Sequence, residues 1–288
     1  MMRPPSTLLA GAVLLLGLLS AVGADGAHKL RVVTTIPDFK ALVEEIGGDL
    51  VDVESLARGS QNAHEIEIRP SLMLRLRRAD LFIENGVELA PGRLDASRGI
   101  NLLEVPTTRV DRSSGDVHPL GNPHYSLDPG LAPIVTQNIL DGLIRVAPEL
   151  RGAFEKNRQA FLGRLEEAMV RWTRTLEPFK GARLVVYHPD YSYFLTRFGL
   201  VQTGMLEDRP GIPPSPQHLA QLIRQMKEER VRVILIQPWN DLKLAQRVAE
   251  DAGAKAIVVP TMVGGAKGAD TYIGTIDYNV NVLAQTLR

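Results

Sequence analysis

The apolar residues of one long stretch near the middle of the chain recur at helical spacing. Between Pro148 and Glu177 the large apolar side chains stand three, four or seven positions apart, which places them on one face of a helix: Leu150, Phe154, Phe161, Leu165, Met169, Trp172 and Leu176. A helix accepts Pro148 in its first turn, and Pro178 ends it because the residue before a proline avoids the helical conformation. At about 1.5 Å per residue the segment forms a rod of about 45 Å, long enough to connect two lobes.

Short apolar runs rich in β-branched residues alternate with helical patterns on both sides of this rod. Before it, the pattern predicts strands at 30–37, 51–56, 80–85 and 102–105 and helices at 38–46, 70–78 and 131–146. After it, the pattern predicts strands at 183–187, 231–236 and 256–259 and helices at 191–198, 216–229, 242–252 and 272–287. Short apolar strands separated by helices form parallel sheets that are covered on both faces.

The predicted fold class is therefore α/β, with two lobes, each a mostly parallel sheet covered by helices, joined by one long rigid helix. The expected division is a signal peptide at 1–24, an N-terminal α/β lobe at 25–147, a linking helix at 148–179 and a C-terminal α/β lobe at 180–288. The alternative is a long helix within a single α/β domain.

The first residues have the pattern of a cleavable secretory signal. Arg3 supplies the positive charge, an apolar core of about a dozen residues follows at 8–19, and the small residues at 22–24 form a cleavage site. No later stretch approaches the roughly twenty apolar residues of a membrane span. We therefore expect a mature protein that is free in the periplasm.

Composition narrows the possible partners and sites. Lys plus Arg and Asp plus Glu both number 33, so no overall field attracts nucleic acid, and we expect no nucleic-acid partner. Cysteine is absent, which excludes disulfides, thiolate metal ligands and a lipidated N-terminal cysteine. Any metal ion must then be held by histidines and carboxylates. We expect a monomer without a lipid anchor.

Three histidines lie in loops that follow or border predicted strands. They are His64, His124 and His188, each next to residues that favour turns. Neutral imidazole is the commonest protein ligand of transition metals. The intervals of 60 and 64 residues match neither a zinc finger nor an HExxH helix. Spacing alone therefore leaves surface histidines or helix caps as the more frequent outcome.

Four stretches in order along the chain resemble one family of transport proteins. They are HEIEIRPSLMLRLRRADLFIENG from His64, NPHYSLDP from Asn122, YHPDYSYFLTRFG from Tyr187 and DTYIGTIDYN from Asp270. Together they resemble the cluster A-I periplasmic substrate-binding proteins that serve zinc and manganese ABC importers. The resemblance extends over nearly all of the expected mature chain, and it implies two α/β lobes joined by one rigid helix with a metal ion bound between them.

The resemblance also implies a set of metal ligands. The family's two histidines fall on His64 and His124, its third ligand on His188, and its carboxylate on Asp270. Three imidazoles and one carboxylate form a four-coordinate set suited to Zn²⁺, and Mn²⁺ is the main alternative. A second interpretation of Asp270 is the N-cap of the last helix.

Some positions depart from the family's pattern. Ser126 stands where many relatives carry a bulky aromatic residue, and Gln237 stands where relatives often have glutamate. The long histidine-rich loop of some zinc-specific members is missing, and the equivalent region, 112–121, contains only His118. We expect His118 to be a solvated loop residue, with a role in assisting metal capture as the alternative. The nearest candidates for side chains that orient the ligands are Glu65, Glu67, Asp128 and Asp190.

The function implied by the resemblance is capture of a metal ion and delivery to an ABC importer permease at the inner membrane, without catalysis. A periplasmic metallochaperone is a further possible partner, and the rod predicts local movement rather than large closure of the lobes. One alternative is a secreted zinc hydrolase or lyase with three histidine ligands and an open position for water. Another is a bilobal protein that binds an organic or chelated ligand.

Overall fold

The structure is a computed structural model that describes residues 29–67, 69–85, 93–111 and 115–288. The predicted signal peptide at 1–24 lies outside the described residues.

The N-terminal lobe is built on a parallel four-stranded sheet. Its strands are β1 (Leu30–Thr34), β2 (Val51–Ser55), β3 (Leu81–Glu84) and β4 (Leu94–Asp95), and its helices are α1 (Pro37–Gly47), α2 (Pro70–Arg78) and α3 (Ala132–Val146). The strand order is β2-β1-β3-β4, and every pairing is parallel. Val32, Phe39, Ile83 and Leu143 are buried between the sheet and the helices α1 and α3.

The C-terminal lobe repeats this architecture. Its strands are β5 (Arg183–Val186), β6 (Val201–Met205), β7 (Val233–Ile236) and β8 (Lys255–Val258), and its helices are α5 (Ser192–Arg197), α6 (Pro216–Glu228), α7 (Leu242–Ala252) and α8 (Tyr272–Leu287), α4 being the helix between the lobes. The order β6-β5-β7-β8 is again all parallel. In each sheet the order reverses between the first and third strands, and ligands of such sheets bind beyond the carboxyl ends of the strands at that point.

The predicted rod is confirmed as α4, Arg151–Leu176, with single 3-10 turns at Pro148–Leu150 and Glu177–Phe179. Its apolar face is buried at Phe154, Phe161, Leu165, Ala168, Trp172 and Leu176. It packs against α1 and α3 of the N-terminal lobe and against α8 of the C-terminal lobe. One helix therefore connects the cores of both lobes, and the α/β class with two parallel sheets is confirmed.

The sequence-based expectation is wrong about one strand and misses two others, β4 and β6. The predicted strand at 102–105 is wrong, because Glu104 adopts a left-handed φ of 53° that interrupts extended backbone, and β4 forms the edge of the sheet instead. The pattern missed β6, whose sequence VQTGM lacks alternation and contains a glycine. β6 is an edge strand with a register shift opposite Leu184 and Val185.

The lobes also touch directly. The Tyr272 hydroxyl donates to the carbonyl of Ser126 at 2.7 Å, and the Tyr193 hydroxyl donates to the carbonyl of Asn122 at 2.8 Å. The Arg197 guanidinium donates to both carboxylate oxygens of Asp128. These contacts hold the loop that contains the second predicted histidine against the C-terminal lobe.

Within the described ranges, each helix is too short or too polar to cross a membrane.

Candidate metal centre

His64 lies on a single helical turn, Ala63–Glu65, in the connection that follows β2. Asn62 caps this turn, because its Oδ1 accepts the backbone N–H of His64 at 3.1 Å. The ring is partly buried, and within the described part of the chain its Nε2 has no hydrogen-bond partner. The cap therefore fixes the backbone while the ring nitrogen stays available.

His124 is held by the side chain of Asn122. The Asn122 Nδ2 donates to Glu104 Oε2 at 2.8 Å and to the carbonyl of Pro189 at 2.9 Å, two groups that only accept, so the orientation of the amide is fixed. Its Oδ1 accepts the backbone N–H of His124 at 2.9 Å and lies 2.8 Å from Nδ1 of the ring. Nδ1 of His124 therefore carries the proton, and Nε2 presents a lone pair.

His188 follows the carboxyl end of β5 and is oriented in the same manner. Its Nδ1 lies 2.8 Å from Oε2 of Glu207, which follows β6 at the same edge of the sheet. Because a carboxylate accepts, Nδ1 of His188 carries a proton and the other nitrogen, Nε2, faces the cleft. The same Glu207 oxygen accepts the backbone N–H of Gly211 at 2.7 Å, which anchors the next turn.

The structure brings the three predicted histidines together. The ring centroids of His64 and His124 are 5.4 Å apart, those of His64 and His188 are 5.5 Å apart, and those of His124 and His188 are 6.3 Å apart. Two of these residues come from the N-terminal lobe and one from the C-terminal lobe. The centre therefore lies between the lobes.

Asp190 places a buried carboxylate in the middle of this group. Its Oδ1 lies 3.1 Å from His124 Nε2 and 3.4 Å from His188 Nε2, while its Oδ2 accepts a hydrogen bond from Gln237 Nε2 at 2.6 Å. One ligand atom each from His64, His188 and Asp190 lie within 4.8 Å of one another. When both Nε2 atoms carry lone pairs, three acceptors face each other, and this arrangement is stable only with a proton or a cation between them.

The protonation of the cluster suits a cation. Burial lowers the pKa of His64 and lowers that of His124 to about 4, so both rings are neutral near pH 7. Burial alone raises the pKa of the Asp190 carboxyl, but the neighbouring His124 and His188 outweigh burial and lower it. For His188 burial acts to lower the pKa, but the hydrogen bond to Glu207 and the charge of Asp190 raise it overall. His188 is therefore the imidazole at which protonation competes most strongly with binding of a cation.

Asp270, the expected fourth ligand, is not brought to this cluster. Its side chain is exposed, and it does not line the cavity beside the histidines. From the same loop, Thr261 and Met262 line that cavity. The N-cap interpretation of Asp270 is wrong, because the hydroxyl of Thr271 accepts the N–H of Gly274 at the start of α8. The carboxylate in the cluster belongs to Asp190.

Of the side chains expected to orient the ligands, Glu65 and Glu67 are exposed and Asp128 pairs with Arg197. Asp190, expected in that supporting role, touches two of the imidazoles directly.

Sequence reasoning missed the residues that do orient the rings, Asn122 and Glu207, and did not connect Gln237 with Asp190. A signal for one of them is present in the sequence: Asn62-Ala63-His64 and Asn122-Pro123-His124 share an Asn-x-His pattern, in which the asparagine accepts the N–H of the histidine. Glu207 had no signal because β6 was not recognised. Gln237 was recognised only as a replacement of glutamate. As a neutral amide it donates to Asp190, whereas a glutamate there would repel it.

His118 is not the solvated loop residue that the sequence suggested. It is partly buried, and its ring centroid lies 5.1 Å from that of His64. Burial, together with the nearby His64, lowers the pKa of His118 to about 4. The cluster therefore contains a fourth neutral imidazole.

A cavity of about 580 Å³ opens beside the cluster. His64, His124 and Asp190 line one side of it, and Trp239 and Met262 line another. Neutral imidazole nitrogens combined with one carboxylate are donors that suit borderline divalent ions such as Zn²⁺. The site therefore has the chemistry and the access needed to take up a divalent transition-metal ion.

The chain is similar to known metal-binding proteins. The family model described as "Zinc-uptake complex component A periplasmic" matches residues 32–286. The chain is similar to the high-affinity zinc uptake system protein ZnuA of Bacillus subtilis (strain 168), with 26% identity over 280 residues, 90% of this chain and 88% of that protein. It is also similar to the iron-binding protein YfeA of Yersinia pestis, with 25% identity over 277 residues, 91% of this chain and 88% of that protein.

A solved structure described as a crystal structure of ZnuA has the same fold. It superposes with a TM-score of 0.77 at 24% identity, covering 90% of this chain and 99% of that one. Because the family model matches most of the chain, from β1 to the last helical turn of α8, the chain belongs to the family of periplasmic component A proteins of zinc-uptake complexes.

Proposed function

We propose that this protein is a periplasmic solute-binding protein that captures a divalent transition-metal ion, Zn²⁺ in the first place, and delivers it to an ABC importer permease. The observation that carries the proposal is the approach of two imidazole Nε2 atoms to one buried carboxylate oxygen, at 3.1 and 3.4 Å, between the lobes. The proposed ligands are His64, His124 and His188, with Asp190 in place of Asp270. The names of the relatives support transport of a metal ion.

The choice of zinc over manganese rests on the donor atoms. Three nitrogens and one carboxylate oxygen favour a borderline ion, whereas Mn²⁺ prefers a larger share of oxygen ligands. Gln237 supplies an amide at a position where a second carboxylate would make the site richer in oxygen. Mn²⁺ remains the competing cargo in the experiment below.

The remaining parts of the proposal follow from the sequence and from the family. The segment 1–24 is a cleaved signal that sends the chain to the periplasm. The lobes at 25–147 and 180–288 are connected by the helix at 148–179. The protein acts as a monomer. It acts without catalysis, because a carboxylate takes the position that a catalytic zinc site leaves to water.

The first test is elemental analysis of the protein purified from the periplasm, followed by competition between Zn²⁺ and Mn²⁺. We expect about one equivalent of bound zinc and preference for zinc over manganese. Because each removes a direct ligand, His64→Ala and His188→Ala should each weaken zinc binding by more than about tenfold. The far-UV circular dichroism should stay unchanged.

The matched control is His218→Ala. His218 is also partly buried, but its ring contacts the carbonyl of Met205 and the carboxylate of Asp208 outside the cluster. This variant should bind zinc as the unmodified protein does. Zinc affinity that is unaltered in both His64→Ala and His188→Ala would refute the proposed site.

A further inference from the structure

His118 reaches the metal centre from a segment that no family motif used above includes. This segment, 115–121, precedes the loop of His124. The 5.1 Å between the ring centroids of His118 and His64 is shorter than the 5.4 to 6.3 Å that separate His64, His124 and His188 from one another. The ring of His118 is thus a member of the cluster by distance.

One nitrogen of each ring, His118 and His64, lacks a hydrogen-bond partner among the described residues. In the part of the chain that the structure describes, Nε2 of His118 and Nε2 of His64 are both buried without a hydrogen bond. A buried polar atom without a partner is unfavourable, and two of them beside one cavity are more so. Both become satisfied if one cation is shared between the two rings, because neutral imidazole nitrogens are good metal ligands.

The backbone around His118 is fixed to the opposite lobe. The N–H of Asp116 donates to the carbonyl of Pro210 at 2.9 Å. At Gly115, with φ of 72°, a Cβ atom would lie only 2.1 Å from that carbonyl oxygen, so the close approach depends on glycine.

The turn that contains Pro210 is tied to His188. Glu207 accepts the N–H of Gly211 with the same oxygen that lies beside His188 Nδ1. One carboxylate therefore positions both His188 and the turn that supports the segment of His118.

We propose that His118 is a direct ligand of the captured ion, so that four imidazoles from His64, His118, His124 and His188 surround it together with Asp190. This inference rests on the proposed function and deepens it. A set of four imidazole nitrogens and one carboxylate oxygen contains more nitrogen than the set with three imidazoles. Such a nitrogen-rich set selects Zn²⁺ over Mn²⁺ more strongly.

The test is X-ray absorption spectroscopy of the zinc-loaded full-length mature protein, which counts imidazole ligands without any substitution. We expect four imidazoles for the unmodified protein and three for His118→Gln. Zinc affinity, measured by competition with a chelator, should fall by about tenfold or more in His118→Gln and stay constant in the control His218→Gln.

The outcomes separate this inference from the function that it refines. Three imidazoles in the unmodified protein, together with unchanged zinc affinity in His118→Gln, overturn the role of His118 and leave the capture of zinc intact. A folded protein that takes up no zinc overturns the proposed function itself, and the role of His118 with it. Four imidazoles and the loss of affinity in the variant support both.

Discussion

Two imidazoles at the centre each have one nitrogen fixed by a neighbour and the other directed at the same carboxylate oxygen. Asn122 fixes Nδ1 of His124, and Glu207 fixes Nδ1 of His188. Such partners set the tautomer and orient the ring before the metal arrives, which reduces the cost of binding. At the scale of the residue, the site is therefore defined by the orienting side chains as much as by the ligands.

Zinc affinity should fall as the pH decreases, and His188 should set where the fall begins. Its pKa is raised above the ordinary 6.5, whereas the pKa values of His64 and His124 are lowered. Protons therefore compete with zinc first at His188, and affinity should begin to decline at a pH above the ordinary imidazole pKa of about 6.5. Chelator competition at steps from pH 8 to pH 5 measures this, and a constant affinity over that range would contradict histidine ligation.

A different buried carboxyl, that of Asp38, should affect stability. Asp38 lies in the first turn of α1, and burial raises its pKa from 3.8 to about 7, although backbone groups of Asp38 and Val263 act to lower it. Because the folded value exceeds the unfolded one, the folded state holds an extra proton between about pH 4 and 7. The stability that this proton provides is present at low pH and is lost as the pH rises through 7.

Asp38→Asn removes this dependence with a neutral side chain of the same shape. Relative to the unmodified protein, the free energy of unfolding of the variant should improve by about 2–3 kcal/mol between pH 5 and pH 8. Urea denaturation of both proteins at the two pH values gives the difference. The exposed Asp52→Asn serves as control and should show no such change; an equal pH dependence in Asp38→Asn and its parent would sink this account.

At the scale of the element, the carboxyl ends of the strands decide where the chemistry lies. His188 and Gln237 follow β5 and β7, the two strands between which the order of the second sheet reverses. The helices α1 and α3 of the first lobe and α8 of the second all pack against α4. The ligand loops therefore stand on rigid supports.

The helix α4 should act as a brace and not as a hinge. Gly163 lies in its interior, and a Cβ atom added there meets nothing within 4 Å. Gly163→Ala should raise the free energy of unfolding by about 0.5–1 kcal/mol and leave zinc affinity unchanged, because glycine costs this much in a helix. Urea denaturation and chelator competition measure the two quantities.

Gly253→Ala is the matched comparison for that substitution. A Cβ atom there also meets nothing within 4 Å, but φ is 73°, so alanine is strained and should destabilise the protein. If Gly163→Ala changes zinc affinity, α4 takes part in a movement that this account does not include.

At the scale of the whole molecule, direct contacts between the lobes oppose a large closure. The hydroxyls of Tyr193 and Tyr272 and the guanidinium of Arg197 bind the loop at 122–128 from the C-terminal lobe. Small-angle X-ray scattering should therefore give a radius of gyration of about 18 Å both with zinc and with a chelator present. A distinctly smaller value with zinc would indicate closure about a hinge.

The pattern of apolar residues predicted most of the helices and strands, because buried residues recur at a regular period within each of these segments. The period of α4 is visible in its own sequence, and all eight helices α1 to α8 of the described residues were located, with small differences at their ends and α5 found to be shorter than expected. The edges of the sheets were harder to predict. β6 has no alternating pattern, and the strand expected at 102–105 gives way to a bend at Glu104 whose carboxylate binds Asn122 and Ser192.

By itself the sequence determined the class of fold and the rod between the lobes, because helical period and strand composition are local properties. Loop position alone did not single out His64, His124 and His188, which were selected through the resemblance of their motifs to a known family. Only the tertiary structure decided which carboxylate lies beside the histidines. Asp190 and Asp270 are both aspartates that follow predicted strands, and they differ in burial and in distance from the rings. The tertiary structure likewise brought His118 beside His64. Contacts between residues far apart in the chain depend on how the two sheets pack against one helix, and no local pattern records that packing.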